Sequence, residues 1–299
     1  MRRFGLFLFV SSLMALLIMV GNTHALTEEE ISRKVKNPGQ IKISAELFTR
    51  KLRKHNPEFV ISLESVLQKL REKQDIILID IRNRKEFEKF RIPGSINISL
   101  FAIKTKAFLK AKPLVLINEG YSYSQLEQEC KRLRDSGFTS VLILNGGLNY
   151  WGQKGAPLEG DLFAQKKINK ISPRIFFAER NYENWIVIDI SESKQSEADN
   201  LMPQAIPIPY SDDPEGFVSK FEAAIGKQNS NPFLSVLIFN DNGEQYEEIE
   251  KLIEKIGIKN VFYLKGGLEK YKTFLQQQAL IRQPRNNLKK TLKKCRSCP

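Results

Sequence analysis

Histidine and cysteine are scarce in this chain of 299 residues. It has two histidines, His24 and His55, and three cysteines, Cys130, Cys295 and Cys298. If the first residues are removed on export, His55 is the one histidine left. No His-based triad and no His-rich metal site can then be built. His55 lies in the polar run Lys54-His55-Asn56-Pro57 and reads as an exposed bystander. Two cysteines alone cannot complete a structural zinc site, and nothing in the sequence calls for a cofactor. Acidic residues are absent from the stretch holding Arg282, Arg285, Lys289, Lys290, Lys293, Lys294 and Arg296. With Arg2 and Arg3, that tail carries nine of the thirteen net positive charges. The basic excess thus belongs to a tail and not to a nucleic-acid-binding face. Such a tail could touch anionic lipid at a membrane surface or an acidic partner.

Long apolar runs are also missing after the first two dozen residues. Arg2 and Arg3 precede the apolar Phe4 to Val20, and Thr23-His24-Ala25 supplies small residues for cleavage. This layout predicts a signal peptide at 1–25 and export to the periplasm or beyond the cell. A polar arm is expected at 26–57.

What is present is one unit written twice. Ser140-Val141-Leu142-Ile143-Leu144-Asn145-Gly146-Gly147-Leu148 is matched by Asn260-Val261-Phe262-Tyr263-Leu264-Lys265-Gly266-Gly267-Leu268. Upstream, Ile76 to Asp80 matches Trp185 to Asp189, and Ile92 to Ile98 matches Met202 to Ile208. Short runs rich in Ile, Leu and Val, such as Pro113 to Ile117 and Val236 to Phe239, read as strands buried on both faces. They alternate with amphipathic stretches such as Glu64 to Lys73 and Ser124 to Ser136. In the second of these, Leu126, Cys130 and Leu133 share a face, which makes Cys130 a core residue. The pattern predicts an α/β fold of two domains, 58–160 and 170–280, each a mostly parallel sheet flanked by helices. A linker is expected near 155–170, and a basic tail at 281–299. Tyr150, Trp151 and Tyr271 follow the Gly-Gly-Leu turns and are expected to pack the closing helices onto the sheets.

Asp80-Ile81-Arg82, Glu86-Phe87, Arg91-Ile92-Pro93-Gly94-Ser95-Ile96-Asn97 and Gly146-Gly147-Leu148 together resemble the rhodanese (sulfurtransferase) family. The second copy keeps Asp189 and Pro203-Gln204-Ala205-Ile206 but has Ser191 in place of the arginine. The resemblance implies a catalytic loop after the strand that precedes the second helix, with the pattern Cys-x-x-Gly-x-Arg-Ser. There a thiolate would carry sulfur as a persulfide, held by backbone N–H groups and a helix N-terminus.

In this chain the first loop reads Asn118-Glu119-Gly120-Tyr121-Ser122-Tyr123-Ser124, and no cysteine occurs from Pro113 to Glu129. The second reads Asn240-Asp241-Asn242-Gly243-Glu244-Gln245-Tyr246, with Asn240 at the cysteine position and Gln245 at the arginine position. The first copy needs about two extra residues before Gly137 to align. Asparagine cannot form a persulfide. The acids Glu119, Asp241, Glu244, Glu247 and Glu248 would repel an anion such as thiosulfate. The sequence therefore predicts an inactive homologue that binds or scaffolds an envelope protein, with a small anion or sulfur compound as a further candidate ligand. The alternative is redox or sulfur transfer by Cys295 and Cys298, a pair that an oxidising compartment would close as a disulfide.

Overall fold

The computed structural model describes residues 52–192, 201–210, 213–226, 228, 231–258 and 260–282. The expected signal peptide, most of the arm and the tail with Cys295 and Cys298 lie outside the described residues.

The first domain runs through β1 (Val60–Ile61), α1 (Leu63–Arg71), β2 (Ile77–Asp80), α2 (Arg84–Lys89), β3 (Phe90–Arg91), β4 (Ile96–Asn97), β5 (Pro113–Ile117), α3 (Tyr123–Asp135), β6 (Ser140–Leu144) and α4 (Gly147–Gln153). Its sheet has the order β1-β6-β5-β2-β4, and every pairing is parallel. β7 (Glu159–Gly160) then turns back to pair antiparallel with β3. α5 (Leu162–Gln165) leads into the second domain. That domain comprises β8 (Lys170–Ile171), α6 (Pro173–Glu179), β9 (Trp185–Asp189), β10 (Ala205–Pro207), α7 (Pro214–Ile225), β11 (Ser235–Phe239), α8 (Tyr246–Ile256), β12 (Val261–Leu264) and α9 (Gly267–Arg282). Its order β10-β9-β11-β12-β8 is the first sheet's order copied strand for strand, again all parallel. The described residues up to Gln276 form one compact unit.

Strands and helices follow from local chemistry. β5 and β11 are apolar without alternation because helices cover both faces of their sheets. α3 turns Tyr123, Leu126, Cys130 and Leu133 into a core with Leu114, Leu116, Val141 and Ile143. Thirteen residues presenting that face are enough to hold a helix whose composition is otherwise polar. Ser62 caps α1 and Ser172 caps α6, each hydroxyl accepting from the backbone N–H three residues on, and Pro173 opens α6. On the other face of the first sheet, Trp151 is buried and donates from Nε1 to the Pro157 carbonyl at 2.8 Å. Tyr150 and Tyr271 are buried as well.

Candidate functional site

Each domain offers a loop at the C-terminal end of its central strand, where parallel sheets present ligand sites. The loops are 118–122, between β5 and α3, and 240–245, between β11 and α8. They share one construction. The Leu148 N–H donates to the Asn118 carbonyl and the Leu268 N–H to the Asn240 carbonyl, both at 2.8 Å. This seats the Gly-Gly turn of each domain against its loop. A Cβ at Gly147 would lie 2.4 Å from the Gly120 nitrogen, and one at Gly267 would lie 2.3 Å from the Asn240 oxygen. Only glycine permits that approach, and both glycines have positive φ.

The asparagine side chains fold back into their own loops. Oδ1 of Asn118 accepts from the Gly120 N–H at 2.8 Å, and its Nδ2 donates to the Tyr121 carbonyl. Oδ1 of Asn240 accepts from the Gly243 N–H at 2.7 Å, and its Nδ2 donates to the Glu244 carbonyl at 2.9 Å. A backbone N–H that could face a bound anion is thus already taken in each loop. Ser122 and Gln245 both hold left-handed backbone just before their helices, and neither caps its helix with a side chain. The helices then open with Tyr123 and Tyr246. The Tyr123 hydroxyl accepts from the Gly146 N–H at 2.8 Å, and that of Tyr246 donates to the Leu264 carbonyl at 3.1 Å.

The two loops differ in cover. Asp241, Asn242, Glu244 and Gln245 are exposed. In the first loop Asn118 and Gly120 are buried, and Tyr121 packs edge-on to Phe262 of the second domain, with ring centroids 5.9 Å apart. Above all, Glu179 reaches across from α6. The N–H groups of Tyr123 and Ser124 donate to Glu179 Oε2 and Oε1 at 2.9 and 3.3 Å. A carboxylate from the second domain therefore occupies the N-terminus of the first domain's loop helix, the place an external anion would favour. Burial pushes its carboxyl up to about 7, although the two N–H bonds oppose that shift. Burial also raises the Glu119 carboxyl from its ordinary value, with a backbone hydrogen bond and then Arg82 pulling the other way.

Asp80 and Arg82 form the floor beneath the first loop. Arg82 donates to both Asp80 oxygens, the shortest contact being 2.7 Å, and to the Phe90 carbonyl at 2.6 Å. Asn97 ties the same turn by donating to the Asp80 and Arg82 carbonyls. In the second domain, the Ser191 N–H donates to Asp189 at 2.9 Å, and the Ser191 hydroxyl is buried without a partner.

One sequence expectation fails here. His55 is not an exposed bystander, because its side chain is only 3% exposed. It stacks on Tyr182 at 4.2 Å, packs near Tyr123 and Phe233, and meets Glu127 at 3.1 Å through Nδ1. Its apolar surroundings come from residues distant in sequence, so its polar neighbours gave no hint of them. Arg53 donates to Ser124 at 2.8 Å in the same cluster. Glu179 and His55 are the residues at this site that sequence reasoning missed. Cys130, in contrast, is fully buried as expected, and burial pushes its thiol up to about 12. Among the described residues no group of three or more His, Cys, Asp or Glu could hold a metal ion. No helix among them is long and apolar enough to cross a membrane.

Comparison with known proteins places these features. The rhodanese-like domain family matches residues 63–154 and 176–274. A sulfurtransferase of Allochromatium vinosum is 29% identical over 98 residues, which cover 33% of this chain and 92% of that protein. The uncharacterized protein YibN of Escherichia coli (strain K12) is 30% identical over 95 residues, 30% of this chain and 65% of that protein, slightly under two thirds of its length. The crystal structure of thiosulfate sulfurtransferase from Pseudomonas aeruginosa aligns with a TM-score of 0.31 at 16% identity, over 70% of this chain and 41% of that one.

Proposed function

The chain belongs to the rhodanese-like family, and from that premise we propose that it is a catalytically silent, exported member that acts as a binding or scaffold module in the cell envelope. The observation that carries the reading is Glu179 seated on the N-terminus of α3, beside a loop without a cysteine. A persulfide carrier needs a nucleophile at that point and a positive environment for the sulfur it holds. The first loop supplies a carboxamide and an internal carboxylate. The second supplies a carboxamide among exposed acids. A chain that keeps both folds while filling both loops with its own groups retains surfaces and not turnover.

A second reading assigns redox or sulfur transfer to Cys295 and Cys298. Cys130 supports it to this extent: its thiol is sealed in the core, so any accessible thiol chemistry falls to that pair.

One experiment separates the readings. Purified protein lacking residues 1–25 and its Cys295→Ser/Cys298→Ser variant are assayed for thiocyanate formation from thiosulfate and cyanide. We expect no turnover in either. Turnover at ordinary enzyme rates that survives in the variant would overturn the silent-module reading, and turnover lost in the variant would favour the tail pair. Export is checked by N-terminal sequencing of protein from fractionated cells, where a chain retained in the cytoplasm with residues 1–25 intact would refute it.

A further inference from the structure

The segment that joins β4 to β5 is wound into two short 3-10 turns, Leu100–Thr105 and Ala107–Leu109. Backbone bonds tighten it along its length: the Ala102 N–H donates to the Ser99 carbonyl, that of Lys106 to Ile103, and that of Leu109 to Lys106. In a 3-10 turn, side chains three residues apart lie above one another. Leu100 and Ile103 thus share a face, and both are buried, with Leu109, in the same core as Leu126 and Cys130 of α3. Phe101 and Lys104 share the next face, and both are exposed.

Because one core holds the inner side of this segment, its outer side forms one surface. Phe101 is 66% exposed on it and Phe108 69%. A single exposed phenylalanine is ordinary. Here two stand on one short segment, with Lys104 and Lys106 between them and Lys110 and Lys112 following. Lys112 pairs with Asp75. Lys104, Lys106 and Lys110 form no ion pair among the described residues. No acid occurs anywhere from Lys89 to Asn118.

These two kinds of side chain ask for different surroundings. An exposed ring gains by leaving water, whereas an unpaired ammonium gains from a negative charge that remains in water. The boundary of an anionic bilayer meets both needs at once. Its acyl region takes the rings and the lysine stems, and its phosphates take the ammonium groups. A folded acidic partner would need two apolar pockets, with acids set around them at matching positions. A fluid bilayer needs no such match. The basic tail at 281–299 carries the same sign of charge as this face and would be repelled by it.

We propose that the 100–112 segment is a membrane-contact face, which enters the surface of an anionic lipid bilayer with Phe101 and Phe108 and holds its phosphates with Lys104, Lys106 and Lys110. No residue of loops 118–122 or 240–245 belongs to this face. Thiosulfate turnover would therefore leave it standing, and loss of the membrane face would leave the silent-loop reading standing.

The test is co-flotation of the protein lacking residues 1–25 with vesicles of equal parts phosphatidylglycerol and phosphatidylcholine, and with vesicles of phosphatidylcholine alone. Binding is expected to the anionic vesicles and should weaken as salt is added. Phe101→Ser/Phe108→Ser should lower the partition coefficient roughly tenfold or more, with Tm unchanged because both rings are exposed. Lys104→Gln/Lys106→Gln should lower it roughly twentyfold, at about fivefold per lysine. The tail is intact in every variant, so these losses report the face alone. Phe108→Trp gives a direct reading. Its emission, taken as the difference from the unmodified protein, should shift to the blue on anionic vesicles and be quenched by brominated acyl chains. The proposal is overturned if the protein does not float with anionic vesicles, or if the Phe108→Trp emission stays unchanged on them. It is equally overturned if both double variants bind as the unmodified protein does, which would assign the binding to the tail. Soluble polyglutamate shifting the Phe108→Trp emission as the vesicles do would overturn it in favour of an acidic protein. Dimerisation in sedimentation that the phenylalanine variant loses would overturn it in favour of a second copy of the chain.

Discussion

The carboxylate of Glu179 accepts the N–H of Tyr123 at 2.9 Å, so a residue of the second domain terminates a helix of the first. Its carboxyl is held near 7 by burial, whereas an unfolded glutamate titrates near ~4.3. Between those values the folded chain keeps a proton that the unfolded chain has released. Stability therefore falls as pH rises from about 4.5 through about 7, and the loss is complete above the folded value. Glu179→Gln removes this dependence. Urea unfolding from about pH 5 to about pH 8 should show the unmodified protein losing stability relative to the variant by about 2–4 kcal/mol. Parallel curves would show that Glu179 does not titrate as the geometry requires.

The two loop asparagines should differ in what they are worth. Truncation at either position frees one N–H and one carbonyl of the loop. In the covered first loop those groups stay out of water, and in the open second loop solvent can reach them. Asn118→Ala should cost about 2–3 kcal/mol and Asn240→Ala about 1 kcal/mol. Equal losses by denaturant unfolding would contradict the difference in cover.

Arg82 and Asp80 are a buried pair, with side chains 2% and 0% exposed. Removing one partner strands the other charge. Arg82→Ala should destabilise the protein by about 3–5 kcal/mol. Asp80→Asn in the Arg82→Ala background should recover part of that loss, because the stranded charge is then gone. A variant within ~0.5 kcal/mol of the unmodified protein would mean that the pair is not closed in solution.

Cys130 should be silent to thiol reagents in the native state. In the Cys295→Ser/Cys298→Ser variant, a chromogenic disulfide should label no thiol until denaturant is added, and then one. Rapid native labelling would show that the core around α3 opens. Cys130→Ala should cost about 1–2 kcal/mol through the lost packing.

Much of the fold is legible in the sequence because its signals are local. The run Pro113 to Ile117 is itself a strand, and the apolar spacing from Leu126 to Leu133 is itself a helix face. The repeat then fixes both sheets at once. The misfit in aligning the first loop also has a plain origin: loop 118–122 is one residue shorter than loop 240–245, while the segment from the start of α3 to Gly137 is three longer than that from the start of α8 to Gly257. Two opposite changes appear in one dimension as a gap of two. The site was less legible. Glu179 reads as one more acid at the end of an amphipathic stretch, and only the docking of α6 brings it to Tyr123. His55 looks solvated beside Lys54 and Asn56, yet Tyr123, Tyr182 and Phe233 enclose it from three distant segments.

The asparagine in each loop does more than occupy a position. A loop built to close around a solute is at its best-ordered only when that solute is present, and its shape then varies with what the medium supplies. Here the side chain of Asn118 or Asn240 plays the solute's part from within, joining a glycine N–H to a carbonyl three or four residues on. Such loops are self-templated. Their conformation is held by hydrogen bonds that the chain supplies to itself, and each domain's loop has its shape without waiting on a bound solute.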